Sequence, residues 1–176
     1  MNDSGMTDLP PDLTLPDASA TEALGAALAR AYVASGRGSG IVYWNGELGA
    51  GKTTCVRSAL RTLGVDGPIR SPTYTLVAVY EPDGITCVHV DLYRLKGPAD
   101  IEELGLRDYL GGDCLWLVEW PEKGATVLPS ADLDVTLRYT AQGRQARLAA
   151  PSARGGAWLN LLLRDTSLAP YVSNLT

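Results

Sequence analysis

The strongest constraint on this chain is an eight-residue loop, Gly46-Glu47-Leu48-Gly49-Ala50-Gly51-Lys52-Thr53, which matches the pattern G-x-x-x-x-G-K-[ST]. Glycines in such a loop permit positive φ angles, so that main-chain N–H groups can surround phosphate oxygens. Lys52 supplies a positive charge for the β- and γ-phosphates, and the hydroxyl of Thr53 is placed to ligate Mg²⁺. The loop therefore predicts a nucleotide-binding site built between a strand and a helix.

The residues on either side of the loop have the required character. Ile41–Asn45 is a short apolar run between glycine-rich stretches, which is typical of a buried strand. A helix is predicted from Lys52 to Leu63, where Gly64 ends it. Strand, loop and helix thus follow one another in the order that phosphate binding at a helix N-terminus needs.

Across the rest of the chain, strands and helices alternate and no internal repeat is visible. In chain order the expected elements are an edge strand Leu13–Leu15, a helix opened by a capping box of Ser19 and Glu22, a hairpin Thr75–Tyr80 with Ile85–Asp91, a short helix from Pro98 through Ile101 to Leu104, a strand Cys114–Glu119, a hairpin Leu133–Tyr139 with Gln145–Ala149, and a terminal helix Trp158–Leu163. We predict a P-loop NTPase-like α/β sheet, parallel in the centre with antiparallel hairpin additions and helices on both faces. Residues 1–11 are expected to be a disordered tail, and residues 12–176 a single domain.

Two acidic residues close apolar strands, Asp91 after Ile85–Asp91 and Glu119 after Cys114–Glu119. Ligands of α/β sheets lie beyond the carboxyl ends of the strands, and Mg²⁺ prefers oxygen ligands. Either carboxylate can therefore bind Mg²⁺ while the other orients the attacking water. The alternative for each residue is a solvated strand-end charge or a helix cap.

Ser71-Pro72-Thr73-Tyr74 lies between the loop's helix and the next strand, where a phosphate-sensing switch segment is expected. An ordinary turn, with Pro72 fixing φ, explains the same residues. His89 shares a strand face with Asp91 and is interpreted as a structural histidine. Trp120 follows Glu119 and is a candidate to pack on the nucleotide or on the switch segment.

Composition narrows the function classes. A net charge of −5 and a pI of about 4.8 argue against autonomous binding to a nucleic-acid backbone. The chain has no apolar run of about 18 residues and no basic, apolar leader, so we expect a cytoplasmic protein without a membrane span. Its 3 cysteines lack metal-site spacing and are expected to be reduced thiols.

Five segments in this order resemble a known family: GELGAGKTT (46–54), SPTYTLV (71–77), HVDLYRL (89–95), ELGLRDYL (103–110) and EWPEKG (119–124). Across about residues 13–165 the chain closely resembles the TsaE (formerly YjeE) family of bacterial ATPases. The resemblance implies a small P-loop ATPase, using ATP and Mg²⁺, that is required to make threonylcarbamoyladenosine beside the anticodon of tRNA. It also implies binding to the TsaD–TsaB heterodimer, whose TsaD subunit is the transferase, with low activity alone, a monomer alone, and tRNA contacted only through the complex.

The resemblance carries roles to particular residues. It implies that nucleotide is bound by Gly46, Gly49, Ala50, Gly51, Lys52, Thr53, Thr54, Thr73, Tyr74 and Trp120. Thr53 and Glu119, with Asp91 beside them, would form the metal site, and Lys52, Asp91 and Glu119 would carry hydrolysis. A short match at the N-terminal segment makes Asp17 and Thr21 candidates for the adenine side of the site.

Other function classes share the phosphate loop. A small-molecule P-loop kinase is the main alternative, although the sequence shows no arginine-rich lid before the C-terminal hairpin. A GTPase switch would carry an [NT]-K-x-D loop, which none of the lysines, Lys52, Lys96 and Lys123, belongs to. A nucleotide-sensing module without catalysis remains a third alternative.

Overall fold

The computed structural model describes residues 12–96, 99–102, 105–109 and 112–173, and within them seven strands form one mixed sheet. The strands are β1 (Leu13–Leu15), β2 (Gly40–Gly46), β3 (Val77–Tyr80), β4 (Thr86–Asp91), β5 (Cys114–Glu119), β6 (Leu133–Thr140) and β7 (Gly143–Ala149). Their order across the sheet is β1-β7-β6-β2-β5-β4-β3.

The centre of the sheet is parallel, as the sequence predicts. Strand β2 runs parallel to both β5 and β6, and β5 runs parallel to β4. The additions at both edges are antiparallel: β3 pairs with β4, β7 with β6, and β1 with β7. In the β4–β5 pair Asp91 lies opposite Glu119, so the two predicted carboxylates end neighbouring strands at the same edge of the sheet.

Helices cover both faces. The helices are α1 (Ala18–Ala34), α2 (Lys52–Thr62), α3 (Ala99–Glu102) and α4 (Ala153–Leu163). Helices α1, α2 and α4 pack on one face over strand residues such as Val42 and Trp44, while α3 and a 3-10 turn cover Val90 and Trp116 on the other. No helix in the described ranges has the length and apolarity needed to cross a membrane.

The N-terminal ends of two helices differ from the sequence prediction. Helix α1 is capped by Asp17, whose Oδ1 accepts a hydrogen bond from the N–H of Ala20 at 2.8 Å, and the predicted Ser19 capping box is wrong. Asp17 has the extended backbone of a cap and lies two residues before Ser19, so its carboxylate satisfies the free N–H at the start of the helix. Helix α4 begins at Ala153 rather than Trp158, because the Ser152 hydroxyl accepts from the N–H of Gly155 at 3.0 Å.

Strand β3 is shorter than predicted because Leu76 has a φ of 65°, outside the extended conformation of a strand, although its main-chain oxygen accepts a hydrogen bond from the N–H of Asp91 at 3.0 Å. The strand therefore starts at Val77, and Thr75 and Leu76 belong to the end of the preceding segment. The predicted tail, residues 1–11, lies outside the described residues, as do Pro98 and Leu104 at the ends of the predicted short helix.

The contact between α1 and α2 depends on Gly25. A Cβ atom at Gly25 would lie 2.1 Å from the main-chain oxygen of Cys55, whereas a Cβ at Gly156 in α4 would meet nothing within 4 Å. We expect Gly25→Ala to lower the free energy of unfolding by about 1–3 kcal/mol, because α2 must move away from α1. The control Gly156→Ala should raise it by up to about 1 kcal/mol. Urea unfolding followed by circular dichroism measures both, and equal effects would contradict the close helix contact.

Candidate nucleotide-binding site

The loop between β2 and α2 has the conformation that its glycines predict. Gly46, Gly49 and Gly51 have φ angles of 137°, 79° and 111°. A Cβ at Gly46 would also lie 2.4 Å from the main-chain oxygen of Leu137 on the neighbouring strand. Both the backbone conformation and the space therefore require glycine, and the loop's shape suits main-chain recognition of an anion.

Lys52 lies at the start of α2 with its side chain folded against the loop. Its Nζ donates to the main-chain oxygens of Gly46 at 2.6 Å and Glu47 at 2.8 Å, and the residue is 4% exposed. Burial lowers the pKa of Lys52 below its usual value, and the carboxylates of Glu119, Glu122 and Asp91 oppose that shift. The ammonium group is therefore stored inside the loop, held by acceptors that belong to the loop itself.

Trp120 connects Lys52 to the end of β4. The Nζ of Lys52 lies 3.9 Å from the centroid of the Trp120 ring, and the ring of Tyr93 lies 5.0 Å from it, centroid to centroid. Trp120 has a φ of 59°, which turns the chain sharply after Glu119. A positive φ at a bulky residue costs free energy and is found where the surrounding structure holds it, often at functional sites.

Thr53 and Glu119 meet directly. The hydroxyl of Thr53 lies 3.0 Å from Oε1 and 2.8 Å from Oε2 of Glu119, and Glu119 is 2% exposed. Hydroxyl and carboxylate oxygens are the ligands that Mg²⁺ prefers beside a nucleotide, where it also keeps waters and phosphate oxygens. The described residues contain no group of three or more His, Cys, Asp or Glu arranged around one ion. The donor set thus fits Mg²⁺ shared with phosphate better than an all-protein metal cage.

Asp91 is held by the predicted switch segment rather than by Thr53. Its Oδ2 accepts hydrogen bonds from the hydroxyls of Ser71 and Thr73, the latter at 2.9 Å, and its Oδ1 accepts from the N–H of Tyr93 at 2.9 Å. The two carboxylates therefore have different surroundings, although they lie on neighbouring strands. Glu119 therefore faces Thr53, whereas Asp91 faces the predicted switch segment.

An open pocket of about 260 Å³ lies over the loop and brings most of the predicted site residues together. Its lining includes Gly49, Gly51, Lys52, Thr53, Thr54, Thr73, Asp91, Glu119 and Trp120. Ala50 is buried behind the loop, and Gly46 forms the turn that enters it. Most of the residues predicted from the sequence therefore lie together around one pocket.

Besides Gly46 and Ala50, three predicted residues do not line the pocket: Tyr74, Asp17 and Thr21. Tyr74 is 83% exposed, and the guanidinium carbon of Arg94 lies 4.1 Å from the centroid of its ring. Thr21 is buried beside the loop, where a Cβ at Gly51 would lie 2.9 Å from its methyl group. Its hydroxyl donates to the main-chain oxygen of Asp17 at 3.0 Å. The adenine-side roles of Asp17 and Thr21 therefore stay predictions.

The second hairpin contributes two residues that the sequence did not single out. Arg144 lies against the loop, with Nη2 3.4 Å from the main-chain oxygen of Gly49, and its buried Nε has no hydrogen-bond partner among the described residues. The hydroxyl of Tyr139 donates to the main-chain oxygen of Leu48 at 3.2 Å. Arg144 thus brings a positive charge to the loop from a hairpin far along the chain. No sequence motif around Arg144 predicts this position.

Comparisons with known proteins agree with this geometry. Residues 15–147 match the family described as "Threonylcarbamoyl adenosine biosynthesis protein TsaE". The chain belongs to the TsaE family. The matched range contains the phosphate loop, the switch segment and both strand-end carboxylates.

Relatives in the TsaE family align over most of their length. A Haemophilus influenzae protein named tRNA threonylcarbamoyladenosine biosynthesis protein TsaE is 46% identical over 115 residues, covering 65% of this chain and 73% of that protein. The Rickettsia bellii protein of the same name is 40% identical over 111 residues, covering 62% of this chain and 76% of that protein. The crystal structure of Bacillus subtilis YdiB superposes with a TM-score of 0.68 at 24% sequence identity, covering 84% of this chain and 90% of that one. That likeness supports the P-loop NTPase-like fold.

Proposed function

We propose that this protein binds and hydrolyses ATP as an accessory protein for the formation of threonylcarbamoyladenosine next to the anticodon of tRNA, and that it acts on the TsaD–TsaB transferase complex. One observation carries the ATPase part of the proposal: Thr53 and Glu119 share a hydrogen bond beside a glycine loop that stores Lys52. Membership of the TsaE family supports the pathway and the partner.

The loop and Lys52 are proposed to bind the phosphates. Main-chain N–H groups from Gly49 to Thr54 lie at the N-terminal end of α2, which favours negative charge. Lys52 would exchange its hydrogen bonds with the oxygens of Gly46 and Glu47 for bonds to the β- and γ-phosphates. Because the ammonium group is already desolvated, this exchange places a strong charge without a large loss of hydration.

Thr53 and Glu119 are proposed to hold Mg²⁺, which neutralises developing charge on the transferred phosphoryl group. Asp91 is proposed to orient the attacking water, since its carboxylate faces the same pocket. The hydroxyls of Ser71 and Thr73 fix that carboxylate and link it to Tyr74, whose exposed ring adjoins Arg94. Segment 71–74 is thereby proposed to change conformation when the γ-phosphate is lost and to transmit that change to the protein surface.

The proposed need for a partner rests on the negative net charge of the protein and on its membership of the TsaE family. With a net charge of −5, the protein is proposed to contact tRNA only through the TsaD–TsaB complex, in the cytoplasm. Turnover by the isolated protein is expected to be low, because the partner is proposed to complete the site.

Reconstitution with the partner tests this proposal. Calorimetry should show Mg²⁺-dependent binding of ATP that is tighter than binding of GTP. Phosphate release should rise when TsaD–TsaB is added, and repeated formation of threonylcarbamoyladenosine on tRNA, followed by nucleoside mass spectrometry, should require both. ATP-dependent phosphorylation of a metabolite without any partner would favour the kinase alternative. No Mg²⁺-dependent affinity for any purine triphosphate would overturn the proposal.

A further inference from the structure

His89 is the single histidine of the chain, and it makes a contact that has no part in the proposed roles of Lys52, Thr53, Asp91 and Glu119. It lies in β4 with a fully buried side chain, and its Nε2 is 2.8 Å from Oε1 of Glu119 on β5. His89 is interpreted from the sequence as a structural histidine, yet in the structure it contacts the carboxylate of Glu119, which also contacts Thr53.

The direction of this hydrogen bond is set by chemistry. A carboxylate oxygen only accepts, so Nε2 of His89 carries the hydrogen and donates it to Glu119. The other ring nitrogen, Nδ1, is buried and has no hydrogen-bond partner among the described residues. A buried polar atom without a partner lowers stability, so an apolar side chain would suit a purely structural position better. The contact with Glu119 is the feature of His89 that a packing role leaves unexplained.

The hydrogen bonds around Glu119 restrict its carboxylate from two sides. Oε1 accepts from His89 and from Thr53 at 3.0 Å, and Oε2 lies 2.8 Å from the Thr53 hydroxyl. His89 and Glu119 lie on paired parallel strands in the centre of the sheet, where Asp91 is opposite Glu119. The donor His89 therefore comes from a strand that is paired with the strand of Glu119, whereas Thr53 lies at the start of α2 and is the residue whose hydroxyl is proposed to ligate the metal ion.

We propose that His89 is a positioning residue for the magnesium site, holding Oε1 of Glu119 when the Thr53 hydroxyl turns to the ion. This inference rests on the proposed function of the Thr53–Glu119 pair. Hydrogen-bond partners of metal-ligating groups commonly change metal affinity by about 10–100-fold when they are removed. His89 would act through Glu119 and would not itself touch the ion.

Two substitutions separate hydrogen-bond donation from packing. His89→Leu removes the donor, whereas His89→Gln keeps an amide N–H in place of Nε2–H. We expect His89→Leu to raise the Mg²⁺ concentration for half-maximal binding of a non-hydrolysable ATP analogue by about 10–100-fold. His89→Gln should recover most of that loss, and affinity measured in EDTA should be unchanged in both. Titration calorimetry at a series of Mg²⁺ concentrations gives these values.

Cys87→Ala is the matched control, because Cys87 is buried in β4 on the same strand face as His89. This substitution should lower the melting temperature but leave the Mg²⁺ concentration for half-maximal binding at its wild-type value. A wild-type requirement in His89→Leu, or an equal loss in His89→Gln, would overturn the inference. If the wild type itself shows no Mg²⁺-dependent affinity, the proposed function fails and the inference fails with it.

Nuclear magnetic resonance of the wild type tests the hydrogen bond even if the leucine variant does not fold. Because the chain has 1 histidine, ¹⁵N-labelled imidazole gives signals from His89 alone. We expect a hydrogen on Nε2, and a shift of the Nε2 signal when Mg²⁺ and the ATP analogue are added together but a smaller one with the analogue in EDTA. The inference would be overturned if Nε2 carried no hydrogen, or if the chemical shift of its signal did not change when Mg²⁺ was added with the analogue.

Discussion

If the protein acts as proposed, Lys52→Ala is expected to lower ATP hydrolysis measured in the presence of TsaD–TsaB by about 10²–10³-fold, the usual effect of removing one preorganised group that stabilises transition-state charge. Lys52 is 4% exposed and its Nζ already lies inside the loop, so alanine removes the ammonium group that would meet the γ-phosphate. Phosphate release with the partner complex measures the rate. In a strain that lacks the native protein, Lys52→Ala should fail to restore threonylcarbamoyladenosine in tRNA.

Lys96→Ala is the matched control for that experiment. It removes the same charge from an exposed side chain that does not line the pocket, and it should behave as the wild type. Melting temperatures of both variants separate loss of charge from loss of fold, because Lys52 also satisfies the oxygens of Gly46 and Glu47. Restoration of the modified nucleoside by a folded Lys52→Ala protein would refute the proposed role of hydrolysis.

The parts of the site that the sequence predicts are those that local chemistry determines. The loop's glycines take positive φ because only glycine does so cheaply, and that requirement is visible in Gly49 and Gly51 without a structure. The meeting of Thr53 with Glu119 is foreseen more loosely, because parallel strands end at one edge of a sheet. The sequence leaves open which carboxylate meets Thr53.

The features that the sequence does not predict depend on which strands become neighbours. His89 meets Glu119 because β4 pairs with β5, and Arg144 reaches Gly49 because the second hairpin pairs beside β2. Strand order is a property of the whole sheet and has no local signature in either residue. Helix α1 shows a smaller case, since Asp17 and Ser19 are both good caps and geometry chooses between them.

Glu119→Gln tests whether the two strand-end carboxylates divide their roles as the hydrogen bonds suggest. Glutamine keeps the size of the side chain and an oxygen near Thr53 but loses the charge. We expect the Mg²⁺ requirement for ATP binding to rise by more than about 100-fold, because even outer partners of metal ligands are worth about 10–100-fold. Hydrolysis with TsaD–TsaB should be lost at ordinary Mg²⁺ concentrations.

Asp91→Asn is the comparison that makes this result informative. Asp91 is bound by Ser71, Thr73 and the N–H of Tyr93, so its replacement should abolish hydrolysis while the Mg²⁺ requirement changes little. In EDTA, Glu119→Gln should bind ATP at least as tightly as the wild type, because one negative charge near the phosphates is gone. If Asp91→Asn raises the Mg²⁺ requirement as much as Glu119→Gln, both carboxylates serve the metal. The hydrogen bonds of Asp91 to the switch segment would then have to break before the ion could bind.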